Sequence, residues 1–344
     1  MGKTDVASMD LAELQVFFDT LGEPKFRAKQ LFEWLHQKQV DTFAKMTNLP
    51  QKLREKLEEE ATIGGVQMVE KLVSRVDGTR KYLFALENGS VIESVLMQYD
   101  YGNTVCVSTQ AGCRMGCQFC ASTLDGVERS LTAGEMLAQV YTIQKDLGQR
   151  ISGVVLMGSG EPLDNYDAVL RFIRLLNDAN GQNMGQRHMT LSTCGLIAQI
   201  YRLAKEQLQI TLAVSLHAPN DEIRRQIMPV ARANPMEELL QACVDYAAQT
   251  KRRITYEYAM MQGINDSDDC ARELAKRLRH TLCHVNLIPM NPVKERAYTK
   301  SSDQRVQRFA HLLQQDGVET TIRRRLGSDI DAACGQLRRR YMQK

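Results

Sequence analysis

From residue 104 onward the sequence alternates short apolar segments with amphipathic helical segments, and this alternation limits the possible folds more than any other feature. The candidate strands are residues 104–107, 153–157, 188–191, 210–215, 253–259, 284–288 and 319–322. Repeated strand–helix units predict an α/β fold with a parallel sheet, and their number indicates either a complete barrel or a partial (β/α)6 barrel of the TIM type. A doubly wound sheet is the alternative, although no GxGxxG segment opens a helix after the first strand.

Polar and glycine-rich clusters follow almost every candidate strand. They are the segment Gly158-Ser159-Gly160-Glu161-Pro162 and residues 192–195, 215–220, 263–266, 289–292 and 327–336. The carboxyl ends of parallel strands meet at one edge of a sheet, and enzymes with such sheets place their active sites there. We therefore expect the clusters to converge. Turn chemistry explains any one of them, but not easily all of them at the same edge.

The sequence divides into four parts. Residues 1–62 carry apolar side chains at helical spacing with lysines and arginines between them, which predicts a helical module. This module is either an RNA-binding accessory domain or a small cap whose surface lysines bind nothing. Residues 63–102 contain short strands separated by Asp77-Gly78 and Asn88-Gly89, which predicts a β-meander linker. Residues 103–318 are the predicted barrel and residues 319–344 a C-terminal extension. In the meander, Glu93 alternates with apolar neighbours, which favours a solvent-facing carboxylate.

Composition limits the class of protein and its cellular setting. The 344 residues, 43% hydrophobic and 25% charged, suffice for one large domain and a small one. Nine cysteines without a signal peptide predict a reducing cytoplasm rather than a disulfide framework. No apolar run is as long as a membrane span, so we expect a soluble protein with no membrane partner. The arginines of the C-terminal extension predict either a basic strip that neutralises phosphates or a solvated charged tail.

Three cysteines, Cys113, Cys117 and Cys120, occur with the spacing C-x3-C-x2-C. Thiolates this close in sequence usually share a soft metal. Structural zinc needs four ligands, and the candidates His188 and His217 lie far downstream. An iron–sulfur cubane held by three protein thiolates would keep one iron open for a small ligand. A zinc knuckle and three unrelated reduced thiols are the alternatives.

The cysteine spacing, with Phe119 before the last cysteine, resembles the cluster loop of radical S-adenosylmethionine (SAM) enzymes. In those enzymes a segment similar to the glycine-rich one after the second strand holds the amino group of SAM, which implies this role for Gly160 and Glu161. Further hydrogen-bonding groups for the ribose, carboxylate and adenine of SAM are expected at later strand ends. These candidates are Ser192, Ser215, Leu216, His217 and Asn291.

Over essentially its whole length the chain is similar to the RlmN/Cfr group of radical SAM RNA methyltransferases. The segments that carry the resemblance are Phe26-Arg27-Ala28-Lys29-Gln30 with Trp34, and residues 106–113, 158–162, 215–220, 286–289 and 329–337. The resemblance implies a methyl group on Cys334 and a transient disulfide between Cys334 and Cys106. It also implies that Glu93 is a proton acceptor, which moves this residue from the solvent to the active site.

The resemblance further implies a reaction, its cofactors and its partners. Two SAM molecules are used per turnover: one methylates Cys334, and the second is cleaved at a 4Fe–4S cluster to a 5′-deoxyadenosyl radical. That radical activates the methyl group of Cys334, which then adds to C2 of an adenine. The implied substrate is an adenosine in the peptidyl-transferase loop of 23S rRNA. Transfer RNA is a further candidate substrate, and flavodoxin is a candidate electron donor.

Two alternatives to this function are retained. A second branch of the family methylates C8 of adenine, although Ala111 and Pro162 resemble the C2 branch more closely. An RNA-binding iron–sulfur protein without turnover belongs to a different class. Such a protein would have no use for the cysteine pair Cys106 and Cys334, so this pair discriminates between the two classes.

Overall fold

The computed structural model describes residues 2–291, 293, 295–330 and 336–342. Its N-terminal part is a small helical module. The elements of the module are β1 (Thr4–Asp5), α1 (Leu11–Thr20), α2 (Phe26–His36), α3 (Gln51–Glu60) and β2 (Ala61–Thr62), and β1 pairs in parallel with β2. Helix α1 begins after Asp10, whose side chain accepts from the N–H of Glu13 while the Glu13 carboxylate accepts from the N–H of Asp10. This reciprocal cap satisfies two backbone donors that the helix itself leaves unpaired.

A ten-stranded sheet forms the framework of the rest of the molecule. Its first strands are β3 (Val66–Val73), β4 (Arg80–Leu86), β5 (Val91–Tyr99) and β6 (Gly102–Cys106), which pair antiparallel in this order. The first two turns contain the dipeptides Asp77-Gly78 and Asn88-Gly89, in which both glycines have positive φ. A separate two-stranded ribbon, β7 (Gln110–Gly112) with β8 (Val127–Ser130), follows β6.

The parallel strands continue the same sheet from β6. They are β9 (Gly153–Leu156), β10 (Met189–Thr193), β11 (Thr211–Ser215), β12 (Ile254–Met260), β13 (Cys283–Pro289) and β14 (Thr320–Ile322). The helices between them are α4 (Ala133–Leu147), α5 (Tyr166–Asn177), α6 (Ile197–Lys205), α7 (Asp221–Ile227), α8 (Met236–Thr250), α9 (Asp268–Leu278) and α10 (Asp303–Gln315). Each strand pairs in parallel with the one before it.

The strand order decides between the two predicted architectures. A doubly wound sheet reverses its strand order at a switch point, whereas the parallel strands here run from β6 through β9 to β14 without reversal. Among the described residues β14 pairs only with β13, so the parallel part does not close on β6. The predicted α/β partial barrel is therefore confirmed. The antiparallel strands extend its sheet directly.

One hydrophobic core runs from the helical module into the barrel. Helix α4 is the contact element, and its Tyr141 hydroxyl lies 3.0 Å from Nδ1 of His36 at the end of α2. At the other end of the chain, α11 (Gln336–Met342) lies across β5, with Leu337 packed against Leu83 and Val91. Within the described ranges, no helix has both the length and the apolar character that crossing a membrane requires.

Candidate active site

The three-cysteine loop joins β7 to β8, and its backbone is held at both ends. The N–H of Cys113 donates to the carbonyl of Gly126 over 2.8 Å. The preceding Gly112 has a φ of +80°, and a Cβ there would lie 2.1 Å from the same carbonyl oxygen. Only glycine fits at this position. The hydroxyl of Thr123 donates to the carbonyls of the second and third cysteines at 2.9 and 3.0 Å, which fixes the far end of the loop.

The thiols of this loop line one cavity and influence each other's ionisation. Burial, together with the nearby Cys120, raises the pKa of the Cys113 thiol to about 12. The same causes, with Cys113 itself, raise the pKa of Cys117. Three thiolates at neutral pH therefore need a positively charged centre in this cavity.

The donor set in this cavity fits an iron–sulfur cluster. In a cubane each thiolate binds a different iron, so three cysteine thiolates hold three irons and leave the fourth open for a small ligand. Among the described residues, no set of three or more His, Cys, Asp or Glu side chains converges on one metal position.

The glycine-rich segment after β9 packs directly on the chain that leads into the cysteine loop. A Cβ on Gly158 would lie 2.7 Å from the backbone nitrogen of Ser108. Gly160 has a φ of +104°, and a Cβ there would lie 2.7 Å from Cβ of Gln110. The side-chain oxygen of Gln110 accepts from the N–H of Glu161 over 2.9 Å. Close backbone approach explains the glycines, and the Gln110 side chain ties the two loops together.

Glu161 forms part of the cavity wall and is only 3% exposed. Its carboxylate accepts from the N–H of Leu163 over 3.0 Å and from the N–H of Cys194 over 2.7 Å. Burial raises the pKa of Glu161 above its usual range, and these hydrogen bonds oppose the rise. The side chains of Thr193 and Cys194 also hydrogen-bond to this carboxylate. Glu161 therefore presents a firmly held acceptor group at the cavity wall.

The cavity has a volume of about 310 Å³ and collects most of the residues predicted to bind a cofactor. Its lining includes Cys113, Cys117, Cys120, Gly160, Glu161, Ser192, Ser215, His217 and Asn291. Leu216 is not part of the lining, since its side chain is completely buried in the hydrophobic core. Its N–H donates to the carbonyl of Glu257 over 3.1 Å, so Leu216 connects β11 to β12.

His217 is held in one orientation and one protonation state. Its Nδ1 accepts from the N–H of Ala259 over 2.9 Å, and its ring meets the ring of Phe119 edge-on at 4.9 Å. Burial lowers the pKa of His217 to about 3, so the ring is neutral at physiological pH. Because Nδ1 is an acceptor, the proton lies on Nε2. His217 therefore brings one N–H donor and one aromatic surface to the cavity wall.

Glu257 on β12 is a further carboxylate that lines the same cavity, and it is not among the residues predicted from the sequence. The side-chain amide of Asn286 donates to it over 2.9 Å from the neighbouring strand. Burial raises the pKa of Glu257, and the positive charge of Arg323, another lining residue, opposes this rise. One feature of the sequence could have identified this residue, because an acidic side chain is unusual inside a strand that is otherwise apolar and buried.

Glu93 is buried, in contrast to the solvent-facing position that strand alternation favours. It is 3% exposed, and its Oε2 lies 3.2 Å from Nζ of Lys81. Lys81 is a completely buried residue on β4 and is not among the residues predicted from the sequence. The backbone N–H of Arg338 in α11 donates to the Glu93 carboxylate. The opposite face of β5 packs on α4, where the hydroxyl of Ser94 donates to Gln139 over 2.7 Å. Because both faces of β5 are covered, alternate residues along this strand do not alternate between the protein interior and the solvent.

Cys106 lies at the end of β6 and is 5% exposed. It shares a face of the sheet with Glu93, because its partner on β5 lies two residues from Glu93. It packs in a small cluster with Leu326 and with Met157, which also lines the cavity. Cys106 is thus next to the cavity, and Glu93 lies on the same face of the sheet. Cys334 lies outside the described residues.

The chain on both sides of residues 331–335 is attached to the antiparallel part of the sheet. On the N-terminal side, the Asp329 carboxylate accepts from the hydroxyl of Ser74 over 2.7 Å and from the N–H of Arg75 over 2.9 Å. On the C-terminal side, Leu337 is buried against β4 and β5, and the next residue donates to Glu93.

The predicted basic strip at the C-terminus is partly neutralised. The ion pairs there are Arg338–Glu128 at 3.1 Å, Arg339–Glu295 at 3.4 Å and Arg340–Glu70 at 2.9 Å. These arginines attach α11 to the β7–β8 ribbon, to the loop after β13 and to β3. In contrast, the described residues provide no ion-pair partner for Arg323 or Arg324, which directly follow β14.

Several basic residues of the N-terminal module have structural roles. Lys56 and Arg54 donate to backbone carbonyls within the module, over 2.8 and 2.6 Å. The ammonium group of Lys38 lies 3.5 Å from the ring centroid of Trp34. Phe26, by contrast, is 58% exposed and is available for contacts with another molecule.

Comparison with known proteins gives two family matches. Residues 4–63 match the family described as "Ribosomal RNA large subunit methyltransferase N-terminal domain". Residues 107–275 match the family described as "Radical SAM superfamily". The second match includes the three-cysteine loop, the glycine-rich segment and all predicted SAM contacts except Asn291.

Full-length relatives and one solved structure are also similar. A protein of Alkaliphilus metalliredigens (strain QYMF) is 52% identical over 342 residues, covering 99% of this chain and 97% of the relative. A protein of Clostridium novyi (strain NT) is 54% identical over 338 residues, covering 98% of both. Both relatives carry the name "Probable dual-specificity RNA methyltransferase RlmN". The structure of a radical SAM methyltransferase from Sphaerobacter thermophilus has a TM-score of 0.93 at 43% identity, covering 97% of this chain and 98% of that one.

Proposed function

The chain belongs to the RlmN family of radical SAM RNA methyltransferases, and from this membership we propose that it methylates C2 of an adenosine in the peptidyl-transferase loop of 23S rRNA. The dual specificity in its relatives' names supports a second substrate, which we propose is tRNA. SAM and a 4Fe–4S cluster are the cofactors that the superfamily implies. We further propose a stoichiometry of two SAM molecules per turnover, flavodoxin as electron donor, and the cytoplasm as the place of reaction.

One observation carries the proposal beyond family membership. The chain before and after residues 331–335 is anchored to the antiparallel part of the sheet, and the anchor after them reaches Glu93 itself. Leu326, before this segment, shares a cluster with Cys106. These contacts support an active site in which Glu93 and Cys106 act together with the C-terminal segment that contains Cys334.

The cavity residues are assigned to the cofactors by their chemistry. Cys113, Cys117 and Cys120 would hold the cluster, and Gly160 and Glu161 would receive the amino group of SAM. The backbone glycine lets the ligand approach closely, and the Glu161 carboxylate supplies the acceptor. The Nε2–H of His217 would donate to the ligand, and Ser192, Ser215 and Asn291 would supply further hydrogen bonds. When bound, these cofactors supply a methyl group and a radical that abstracts hydrogen.

The remaining residues handle the transferred carbon. The Cys334 thiolate would carry the methyl group, because C2 of adenine is electron-poor and does not attack SAM directly. Glu93 would take the proton from C2, and its buried carboxylate is held for this by Lys81 and the Arg338 N–H. The Cys106 sulfur would then attack the Cys334 sulfur. The bond between that sulfur and the transferred carbon breaks, and the carbon takes a proton to become the new methyl group.

We assign RNA binding to the helical module of residues 1–62 in addition to the barrel. The family match over residues 4–63 and the exposed Phe26 support this assignment. Under the same proposal, residues 63–102 carry Glu93, residues 103–318 bind the cofactors, and residues 319–344 carry the methyl group.

Nucleoside mass spectrometry tests the proposed function. Anaerobically reconstituted protein is incubated with SAM, a reductant and 23S rRNA that lacks the modification. We expect 2-methyladenosine. Detection of 8-methyladenosine would show that the methylated carbon is C8 rather than C2, and the proposed residue roles would remain. An intact cluster without any methylated adenosine would favour an RNA-binding iron–sulfur protein without turnover.

A further inference from the structure

The turn between β5 and β6 presents two stacked aromatic rings at the surface. The ring centroids of Tyr99 and Tyr101 lie 4.9 Å apart with an interplanar angle of 7°. Tyr99 is partly buried, and its hydroxyl donates to the sulfur of Met97 over 3.5 Å. Tyr101 is 78% exposed. One face of the Tyr101 ring is therefore supported by a fixed neighbour, and the other is open to a flat ligand.

One hydrophobic cluster joins this aromatic pair to the candidate active site. Tyr99 packs in the same small cluster as Cys106, Met157 and Leu326. Met157 also belongs to the cavity wall, and Cys106 is one of the residues assigned to the reaction. The cluster therefore connects the aromatic pair to residues of the candidate active site.

Positive charge accompanies the aromatic pair. Arg323 lines the cavity. Burial raises the pKa of the Tyr99 hydroxyl, and the nearby positive charges of Arg323 and Arg324 oppose this rise. Neither arginine has an ion-pair partner among the described residues. One carboxylate, Asp100, belongs to the same turn. The patch thus combines an exposed ring with two available guanidinium groups, a combination suited to a nucleobase and its phosphates.

We propose that Tyr101, supported by Tyr99, stacks on an unpaired nucleobase adjacent to the target adenosine, while Arg323 and Arg324 contact the neighbouring phosphates. This inference rests on the proposed function, since it requires an RNA substrate. An adenine that enters the cavity leaves its neighbours without a stacking partner, and the tyrosine ring replaces that partner. Stacking tolerates any base, so one platform serves two RNAs of different sequence.

Site-specific fluorescence tests the platform directly. The probe is an RNA hairpin with the peptidyl-transferase loop sequence, in which 2-aminopurine replaces one nucleotide at a time on either side of the target adenosine. We expect reconstituted wild-type protein and Tyr101→Phe to quench 2-aminopurine at one flanking position, because both rings stack. Tyr101→Ala should lose this quenching and bind the hairpin about tenfold more weakly. Arg324→Gln should lower the slope of log Kd against log salt by about one.

Tyr201→Ala is the matched control, since Tyr201 is an exposed tyrosine on α6, far from this patch in the fold. It should bind RNA like the wild type, and all variants should retain the cluster absorbance and SAM binding. If the wild type methylates the hairpin but Tyr101→Ala binds and quenches as the wild type does, the platform is refuted and the proposed function stands. If wild-type protein neither binds nor methylates RNA, both are refuted. If Tyr101→Ala slows turnover only with a protein electron donor and not with a chemical reductant, the patch binds that donor instead.

Discussion

At the scale of single residues, the pair of cysteines outside the cluster loop gives the sharpest prediction. Cys106→Ala should stop the reaction at a covalent adduct between RNA and Cys334, because no second sulfur can break the bond to carbon. Denaturing gel electrophoresis after anaerobic turnover measures the adduct. Cys270→Ala, a buried cysteine on α9, should release free methylated RNA. Free RNA as the only product of Cys106→Ala would contradict the resolving role.

The buried pair of Lys81 and Glu93 gives a second residue-scale prediction. Their charged atoms lie 3.2 Å apart with exposures of 0% and 3%. Lys81→Met should lower the free energy of unfolding by about 3–5 kcal/mol, since it leaves a buried carboxylate without its cation. Urea unfolding under anaerobic conditions measures the change.

Lys71→Met is the matched control for this pair. Lys71 lies on the adjacent strand β3, and its pair with Asp146 at 2.7 Å is much more exposed. Its loss should cost less than about 1 kcal/mol. Adding Glu93→Gln to Lys81→Met should recover part of the lost stability. If the two lysine substitutions lower the free energy of unfolding equally, burial does not increase the contribution of the Lys81–Glu93 pair to stability.

At the scale of elements, the β7–β8 ribbon should control whether the cluster is bound. Gly112→Ala would place a methyl group against the carbonyl of Gly126, which must shift Cys113. We expect a large loss of iron content and cluster absorbance. Gly148→Ala is the control, because Gly148 has a similar φ of +69° with no atom near the added methyl group. It should cost about 1 kcal/mol of stability and keep the iron. Similar iron loss in both would indicate that strain at positive φ, rather than the contact, decides the result.

At the scale of the whole molecule, the contact between the helical module and the barrel should depend on pH. Burial lowers the pKa of His36 to about 4, so this group is neutral in the folded protein. The unfolded chain binds a proton near its ordinary pKa of 6.5. The contribution of His36 is therefore fully present above pH 6.5 and is lost as the pH falls toward 4, by about 3 kcal/mol in total.

Thermal unfolding between pH 7.5 and about 4.5 tests this dependence. His36→Gln should flatten the decline in melting temperature, because the substituted side chain does not titrate. The exposed His311 on α10, replaced in the same way, should leave the decline unchanged. An equally steep decline in His36→Gln and wild type would place the acid-sensitive group elsewhere, for example at His217, whose pKa burial also lowers.

The sequence by itself determined the α/β barrel and most of the cavity residues. It did so through local patterns, namely the alternation of strands and helices, the hairpin dipeptides and the cysteine spacing. Local patterns suffice there because parallel strand ends must meet at one edge. The tertiary structure alone decided that β5 is covered on both faces, that Lys81 faces Glu93 and that Leu216 points into the core. It also decided which arginines are neutralised. Each of these depends on contacts between residues far apart in sequence, whose pairing no local period encodes.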